Sequence, residues 1–87
     1  MPTSPPPELP VGVVLYVREG CHLCEQFLLD MQVEFGPAVE SLQVVDVDRD
    51  VDLAVRFGLR VPVLAVAGEV VCEGLFEGSK VRRSLAV

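Results

Sequence analysis

The stretch VGVVLYVREGCHLC, residues 11–24, decides the fold. Its first half, residues 11–17, is apolar on both faces of a strand apart from Gly12, which is typical of a central parallel strand. Apolar residues then recur at positions 23, 27, 28, 31 and 35, which is helical spacing, and Gly36-Pro37 follows them. The sequence therefore predicts a buried strand followed by a helix over residues 21–35.

Two cysteines, Cys21 and Cys24, lie three positions apart at this junction. Residues at this spacing share one helical turn, so their thiols can exchange with a disulfide. Cys21 would begin the helix, where unpaired backbone N–H groups and the helix dipole lower the pKa of a thiol. The pattern predicts a redox site in which Cys21 attacks and Cys24, more shielded, resolves the mixed disulfide.

Two other interpretations of the cysteine pair remain, namely a metal site and inert thiols. A structural metal site usually takes a second cysteine pair, and this chain offers only Cys72 and His22 besides the first pair. We expect Cys72 to be a buried apolar residue on a strand. We therefore expect no metal site.

The composition predicts one cytoplasmic domain. The chain has 87 residues, and its 51% hydrophobic content can form a core without disulfides. Three cysteines are too few for a secreted disulfide framework. The first Lys or Arg is Arg18, so a basic signal-peptide region is not expected. The uncharged stretch of residues 9–17 has half the length that a membrane-spanning helix needs.

The charge also excludes classes of partner. A formal net charge of −6 lacks the basic surface that nucleic-acid binding needs. The basic cluster Lys80, Arg82 and Arg83 is expected in the last turn of a terminal helix, where the dipole stabilises cations. We expect a monomer with neither a nucleic-acid nor a membrane partner.

The first half of the chain predicts a βαβ unit. Residues 1–10 hold five of the seven prolines and are expected to form a flexible tail ahead of a domain over residues 11–87. Residues 42–48 are rich in valine and predict a second strand, whose end Asp46 and Asp48 mark. Strand, helix and strand in under forty residues indicate a right-handed crossover.

The second half predicts a helix, a hairpin and a last helix. Asp50 is a typical N-cap for a short helix that ends at Gly58. Residues 63–67 and 70–72 flank Gly68-Glu69 and predict an antiparallel hairpin. Ser79 would cap a last helix, in which Val81 and Leu85 share a face.

This order, βαβ–α–ββα with C-x-x-C after the first strand, resembles the minimal thioredoxin/glutaredoxin fold, a four-stranded mixed α/β sheet with flanking helices. The chain is similar to the short bacterial glutaredoxin-like proteins over residues 11–87. Four segments in the right order carry the resemblance, residues 15–24, 44–48, 58–63 and 72–74. It implies a thiol–disulfide oxidoreductase of cell redox homeostasis that acts through Cys21-His22-Leu23-Cys24 on a protein disulfide or thiol partner, without a resident cofactor.

The resemblance also implies substrate-binding residues. Pro62 matches a cis-proline that faces the C-x-x-C, and the backbone of Val61 would bind an incoming peptide or glutathione strand. Arg18 stands where glutaredoxins hold a lysine that contacts a glutathione carboxylate, and His22 stands where they usually carry proline. Gly74 is what remains of their paired-glycine turn.

Glutathione is expected to be at most a weak co-substrate. The net charge of −6, with Glu19 and Glu25 beside the cysteines, opposes an anionic peptide, and Leu75-Phe76 replaces the paired-glycine turn. Three alternatives stay open: a glutathione-dependent glutaredoxin, a module that carries a metal or iron–sulfur cluster on Cys21, and a redox-silent adaptor that docks through Leu75-Phe76.

Overall fold

The computed structural model describes residues 9–10 and 12–85. This part of the chain contains four strands and three α-helices in the order βαβ–α–ββα. They are β1 (Val13–Val17), α1 (His22–Phe35), β2 (Gln43–Asp46), α2 (Val51–Phe57), β3 (Val63–Val66), β4 (Glu69–Glu73) and α3 (Gly78–Leu85). Short 3₁₀ segments, Gly36–Ser41 and Val47–Arg49, lie on either side of β2. The predicted element order is confirmed.

The strands form one mixed sheet in the order β2-β1-β3-β4. β1 runs parallel to β2 and antiparallel to β3, and β3 and β4 form a hairpin. Leu15, in the middle of β1, is paired with Val44 on one side and Leu64 on the other. The prediction that the first strand is central is therefore confirmed, although it is parallel to only one of its neighbours.

Side chains of the sheet alternate between two buried clusters. Leu15 and Leu64 pack with Phe27 of α1 and Val81 of α3 in the larger cluster. Their strand neighbours Tyr16 and Val63 belong to the smaller cluster, which includes Phe57 of α2. The period of two along β1 and β3 thus places α1 and α3 against one face of the sheet and α2 against the other.

Leu9 corrects the predicted boundary of the N-terminal tail. Its side chain is 6% exposed and packs in the larger cluster, and its N–H donates to Ser41 Oγ at 3.0 Å. The folded domain therefore begins no later than Leu9, because its buried side chain and its backbone hydrogen bond hold this part of the chain against the core. Residues 1–8 of the predicted tail lie outside the described residues, as do residues 11, 86 and 87.

The hairpin turn is displaced by one residue from its predicted place. Val66 pairs with Glu69, so the turn consists of Ala67-Gly68 and not of Gly68-Glu69. Both turn residues have positive φ, 52° and 82°, as a type I′ turn requires. Alanine rarely adopts this conformation, which is why sequence preference favoured the other pair.

The ends of other elements also differ from prediction. β2 stops at Asp46 because the Asp46 carboxylate accepts the N–H of Asp48 and begins a 3₁₀ turn. Ser79 lies within α3 rather than capping it. The predicted cap of α2 is confirmed, since Asp50 Oδ1 accepts the N–H groups of Asp52 and Leu53 at 2.9 and 3.2 Å.

The last helix carries the basic cluster, but Lys80 lies in its first turn and not in the predicted last turn. Arg82 and Arg83 occupy the last turn of α3, and Val81 and Leu85 on its inner face are buried. Arg82 also pairs with Glu34 of α1, which ties the two helices on this face of the sheet. Within residues 9–10 and 12–85, every helix is too short or too polar to cross a membrane.

Replacing Leu9 by alanine should lower the free energy of unfolding by about 2–3 kcal/mol, because it removes a buried side chain from the core. Leu59→Ala is the matched control, since Leu59 is 100% exposed and should change this free energy little. Urea unfolding followed by circular dichroism measures both. Equal effects of the two substitutions would show that the segment before β1 contributes nothing to stability.

Candidate active site

A disulfide joins Cys21 and Cys24, whose Cα atoms are 5.2 Å apart. This separation lies in the range that disulfide geometry requires. The turn that leads to the pair is closed by the Cys21 N–H, which donates to the Arg18 carbonyl at 3.2 Å, and by Gly20, whose φ is 77°. Both sulfurs thus lie at the beginning of α1, directly after the turn that follows β1.

The two cysteines differ in position and burial. Cys21 is the N-cap of α1, and its Sγ accepts the N–H of Cys24 at 3.1 Å. Cys21 is half-buried, whereas Cys24 is only 4% exposed. An N–H group and a helix N-terminus directed at Cys21 Sγ favour a thiolate there. Cys21 is therefore the sulfur that a partner can reach.

Ionisable side chains around the pair are exposed. His22 is the first residue of α1, and Glu19 and Glu25 lie on either side of the motif. The two carboxylates oppose negative charge on Cys21, but solvent screens them more than it screens the backbone N–H that bonds its sulfur. Once the disulfide is reduced, we expect the helix terminus to favour the Cys21 thiolate more than the two carboxylates oppose it.

The Val61–Pro62 peptide is cis, as the resemblance implied. Because Tyr16 of β1 pairs with Val63, Pro62 lies beside the end of β1 that leads to Cys21. Pro62 is buried, and its carbonyl accepts the Gly74 N–H at 2.9 Å, so the loop before β3 is fastened to the residue after β4. Three of the expected substrate-binding residues thus lie at one edge of the sheet.

Val61 offers fewer backbone groups than the resemblance implied. Its N–H already donates to the Phe57 carbonyl at 2.9 Å, at the end of α2. The contact of Val61 with an incoming strand therefore stays a prediction for its carbonyl alone.

Arg18 is bound by the protein itself. Its Nε and Nη2 donate to the two carboxylate oxygens of Asp48 at 3.0 and 2.9 Å, and its Nη1 donates to the Gly58 carbonyl at 2.9 Å. In this structure the guanidinium joins the loops after β1, β2 and α2. The expected substrate-binding role of Arg18 has to compete with three internal hydrogen bonds.

Arg60, next to Val61, is also engaged. Its Nε donates to Glu73 at 2.7 Å, and its guanidinium lies 5.4 Å from the centre of the Phe57 ring. That ring stacks on Tyr16 with centroids 4.7 Å apart. The cation before the cis peptide is therefore paired with a carboxylate, as is the cation before Cys21.

Cys72 is kept apart from this chemistry. It lies buried on β4 within the larger core cluster, and its Sγ donates to the Leu75 carbonyl at 3.3 Å. This agrees with the prediction of a buried apolar residue. Within residues 9–10 and 12–85, no three His, Cys, Asp or Glu side chains are grouped so that they could hold a metal ion.

Apolar side chains are exposed near the motif and after the hairpin. Leu23, between the two cysteines, is 45% exposed, and Leu75 is 70% exposed. Phe76 instead packs edge-on against Phe27 at 5.3 Å. Of the Leu75-Phe76 pair that sequence analysis assigned to docking, Leu75 is exposed and Phe76 is partly buried.

Asp48 and Gly58 were missed as residues of this region. A topological signal for Asp48 existed, because residues that follow parallel neighbouring strands meet at one edge of the sheet. Arg18 follows β1 directly and Asp48 follows β2, so an ion pair between them could have been inferred from the predicted βαβ unit. Gly58 carried no such signal, since the contact involves its backbone carbonyl.

Comparison with known proteins agrees with this geometry. The model of the glutaredoxin-like domain family (DUF836) matches residues 12–86. The chain is similar to the X-ray structure of target protein XcR50 from X. campestris, with 32% identity and a TM-score of 0.69 over 85% of this chain and 95% of the other. It is also similar to the solution structure of protein Ne2328 from Nitrosomonas europaea, with 29% identity and a TM-score of 0.71 over 98% of both chains.

No curated protein matches the chain. The family model nevertheless covers almost the whole described domain, including the cysteine pair and the cis-proline loop. Together with the thioredoxin-like sheet order, it shows that the chain belongs to the glutaredoxin-like domain family.

Proposed function

We propose that this protein is a thiol–disulfide oxidoreductase that exchanges its Cys21–Cys24 pair with a disulfide or thiols of a protein partner. The observation that carries the proposal is the asymmetry of the pair. Cys21 Sγ accepts an N–H at the helix N-terminus and is half-buried, whereas Cys24 is buried one turn further in. An accessible attacking thiol with a shielded resolving thiol is what a two-step exchange needs.

The exchange proceeds in two balanced steps. The Cys21 thiolate attacks one sulfur of a partner disulfide, so that a mixed disulfide forms and the other partner sulfur is displaced as a thiolate. The Cys24 thiolate then attacks Cys21 Sγ, which forms the intramolecular disulfide and releases the second partner thiolate. Two electrons pass from the cysteine pair to the partner, and oxidation of partner thiols is the reverse.

A protein partner fits the surroundings of the pair better than glutathione does. An extended segment could bond to the Val61 carbonyl and place apolar side chains on Leu23 and Leu75, which are exposed. Glutathione needs free cations for its two carboxylates. Arg18 and Arg60 are both paired with carboxylates, so glutathione enters the proposal only as a weak co-substrate. A monomeric state and a cytoplasmic location remain predictions from the sequence.

Thiol counting should show that only the first two cysteines are redox-active. After mild oxidation, denatured protein should present one alkylatable thiol, from Cys72, and after reduction it should present three, because Cys72 is buried away from exchange. Mass spectrometry of the alkylated chain measures the count. In a Cys72→Ser control the counts should be zero and two. Three free thiols in the oxidised parent would contradict the proposed disulfide.

Cys21 should react faster and at lower pH than Cys24. In a Cys24→Ser/Cys72→Ser chain, we expect iodoacetamide alkylation of Cys21 to titrate with a midpoint below about 8.5, the value for an unperturbed thiol, since the helix terminus favours its thiolate. In the matched Cys21→Ser/Cys72→Ser chain, Cys24 should react much more slowly because it is buried. A midpoint at or above the unperturbed value, or a faster Cys24, would reverse the assigned roles.

Exchange with a protein disulfide should depend on both cysteines in different ways. With a disulfide-bonded test protein such as insulin, Cys21→Ser should abolish reduction. Cys24→Ser should instead accumulate a mixed disulfide on Cys21, visible by non-reducing electrophoresis and mass spectrometry. Cys72→Ser is the control and should keep the parent rate. If the Cys21→Ser chain reduces the test protein as fast as the parent does, the proposed function is wrong.

A further inference from the structure

Arg18 is the cation closest to the disulfide along the chain. It is the only Lys or Arg among residues 1–48, and its own carbonyl accepts the N–H of Cys21. A free guanidinium at this position would attract any anionic molecule that approaches Cys21 Sγ. Whether this charge is available therefore affects which thiols can react with the disulfide.

Asp48 pairs with this charge in a bidentate ion pair. Both of its carboxylate oxygens accept from Arg18, at 2.9 and 3.0 Å, which is the fork geometry that suits a guanidinium best. The Arg18 side chain is 35% exposed and that of Asp48 is 48% exposed. The pair thus lies at the surface, where a co-substrate can meet it, with its net charge cancelled.

The backbone of Gly58 holds the guanidinium from a second side. Arg18 Nη1 donates to the Gly58 carbonyl at 2.9 Å. A Cβ added at Gly58 would clash with the Ala54 carbonyl oxygen, so the backbone of α2 by itself favours glycine at this position. The same Cβ would lie 2.7 Å from Arg18 Nη2, so the guanidinium occupies part of the space that the glycine leaves.

The second loop of the site has the same arrangement. Arg60 precedes Val61-Pro62 and is paired with Glu73 at 2.7 Å. Outside these two pairs, the exposed ionisable side chains nearest to Cys21 in the sequence are Glu19, His22 and Glu25. A thiol that carries a negative charge thus meets two carboxylates and one imidazole, while both arginines are already paired.

We propose that Asp48 is a specificity-determining residue that withholds the charge of Arg18 and so makes the disulfide react poorly with anionic thiols. This inference rests on the proposed function. In the reaction concerned, one thiolate attacks Cys21 Sγ and forms a mixed disulfide while Cys24 leaves as a thiolate. A second thiolate attacks the mixed disulfide, so that two thiolates are oxidised to one disulfide and the cysteine pair takes up two electrons. The backbone of Arg18 closes the turn that ends at Cys21, so we expect the charge of its side chain to act on the molecule that carries the attacking sulfur.

The test measures how the rate of this reduction depends on the charge of the thiol. Cysteamine is cationic, 2-mercaptoethanol neutral and 3-mercaptopropionate anionic, and glutathione is a larger anionic probe. The reduction is stopped at set times with an alkylating agent, and mass spectrometry of the chain gives the fraction reduced. These data give a second-order rate constant per thiolate for each thiol. In the parent we expect the cationic thiol to react fastest, the neutral thiol more slowly and the anionic thiols slowest. Asp48→Asn should raise the ratio of the anionic to the neutral rate by up to about fivefold, which is the effect of one unit charge that comes within about 4 Å in water.

Asp52→Asn is the matched control, because it makes the same change of net charge and its carboxylate does not contact Arg18. It should leave the ratio near that of the parent. Asp48→Glu should also preserve the parent ratio, and Asp48→Ser should reproduce the gain if Asp48→Asn folds poorly. Adding Arg18→Ala to Asp48→Asn should remove the gain, and raising the salt concentration should shrink it.

The inference is overturned if Asp48→Asn changes the ratio no more than Asp52→Asn does, or if the gain persists without Arg18. In either case the thiols still reduce the disulfide, so the proposed function stands. A disulfide that no thiol of any charge reduces would overturn the proposed function as well as this inference.

Discussion

The pairing of β1 on both of its edges is the constraint on which the rest of the structure depends. Its backbone bonds to β2 on one side and to β3 on the other, and its side chains belong to both buried clusters. Because β2 is parallel to β1 and β3 antiparallel, the ends of β1 and β2 and the beginning of β3 meet at one edge of the sheet. The loops that carry Cys21, Asp48 and Pro62 are brought together by this register alone.

Two contacts then connect this edge to the helices. Cys21 is at once the end of the turn after β1 and the cap of α1, so the reactive sulfur is part of the helix terminus that stabilises its charge. On the other face of the sheet, Phe57 stacks on Tyr16 and its ring lies 5.4 Å from the guanidinium of Arg60, so the end of α2 packs beside the loop with the cis peptide. The site is thus supported by both layers of helices, although its residues come from short loops.

Local patterns predicted the parts of the molecule that are locally determined. The helical period after Cys21, the Asp50 cap and the alternation along the strands each follow from residues within a few positions of one another, and all three are found in the structure. The hairpin turn was misplaced because the tertiary pairing of β3 with β4 holds Ala67 in a conformation that alanine avoids. Leu9 was misplaced because its partner Ser41 is 32 positions away.

The role of Arg18 shows the same limit within the site. Position relative to the cysteines indicated a cation available to a substrate, but its availability depends on Asp48, 30 positions later, and on the backbone of Gly58. Ion pairs of this separation depend on the packed sheet, and sequence preference does not encode them. Residue type indicated where the charge is, and the order of the strands, rather than local sequence preference, indicated that it is bound to Asp48.

The burial of Cys72 has a consequence for how the correct cysteine pairing is reached. In an unfolded chain the three thiols are chemically alike and three pairings compete, although the short loop between Cys21 and Cys24 closes at the least entropic cost. Folding removes the other two pairings, because it places the Cys72 sulfur inside the core with the Leu75 carbonyl as its partner. An odd number of cysteines is therefore harmless to the native protein, provided that folding precedes oxidation.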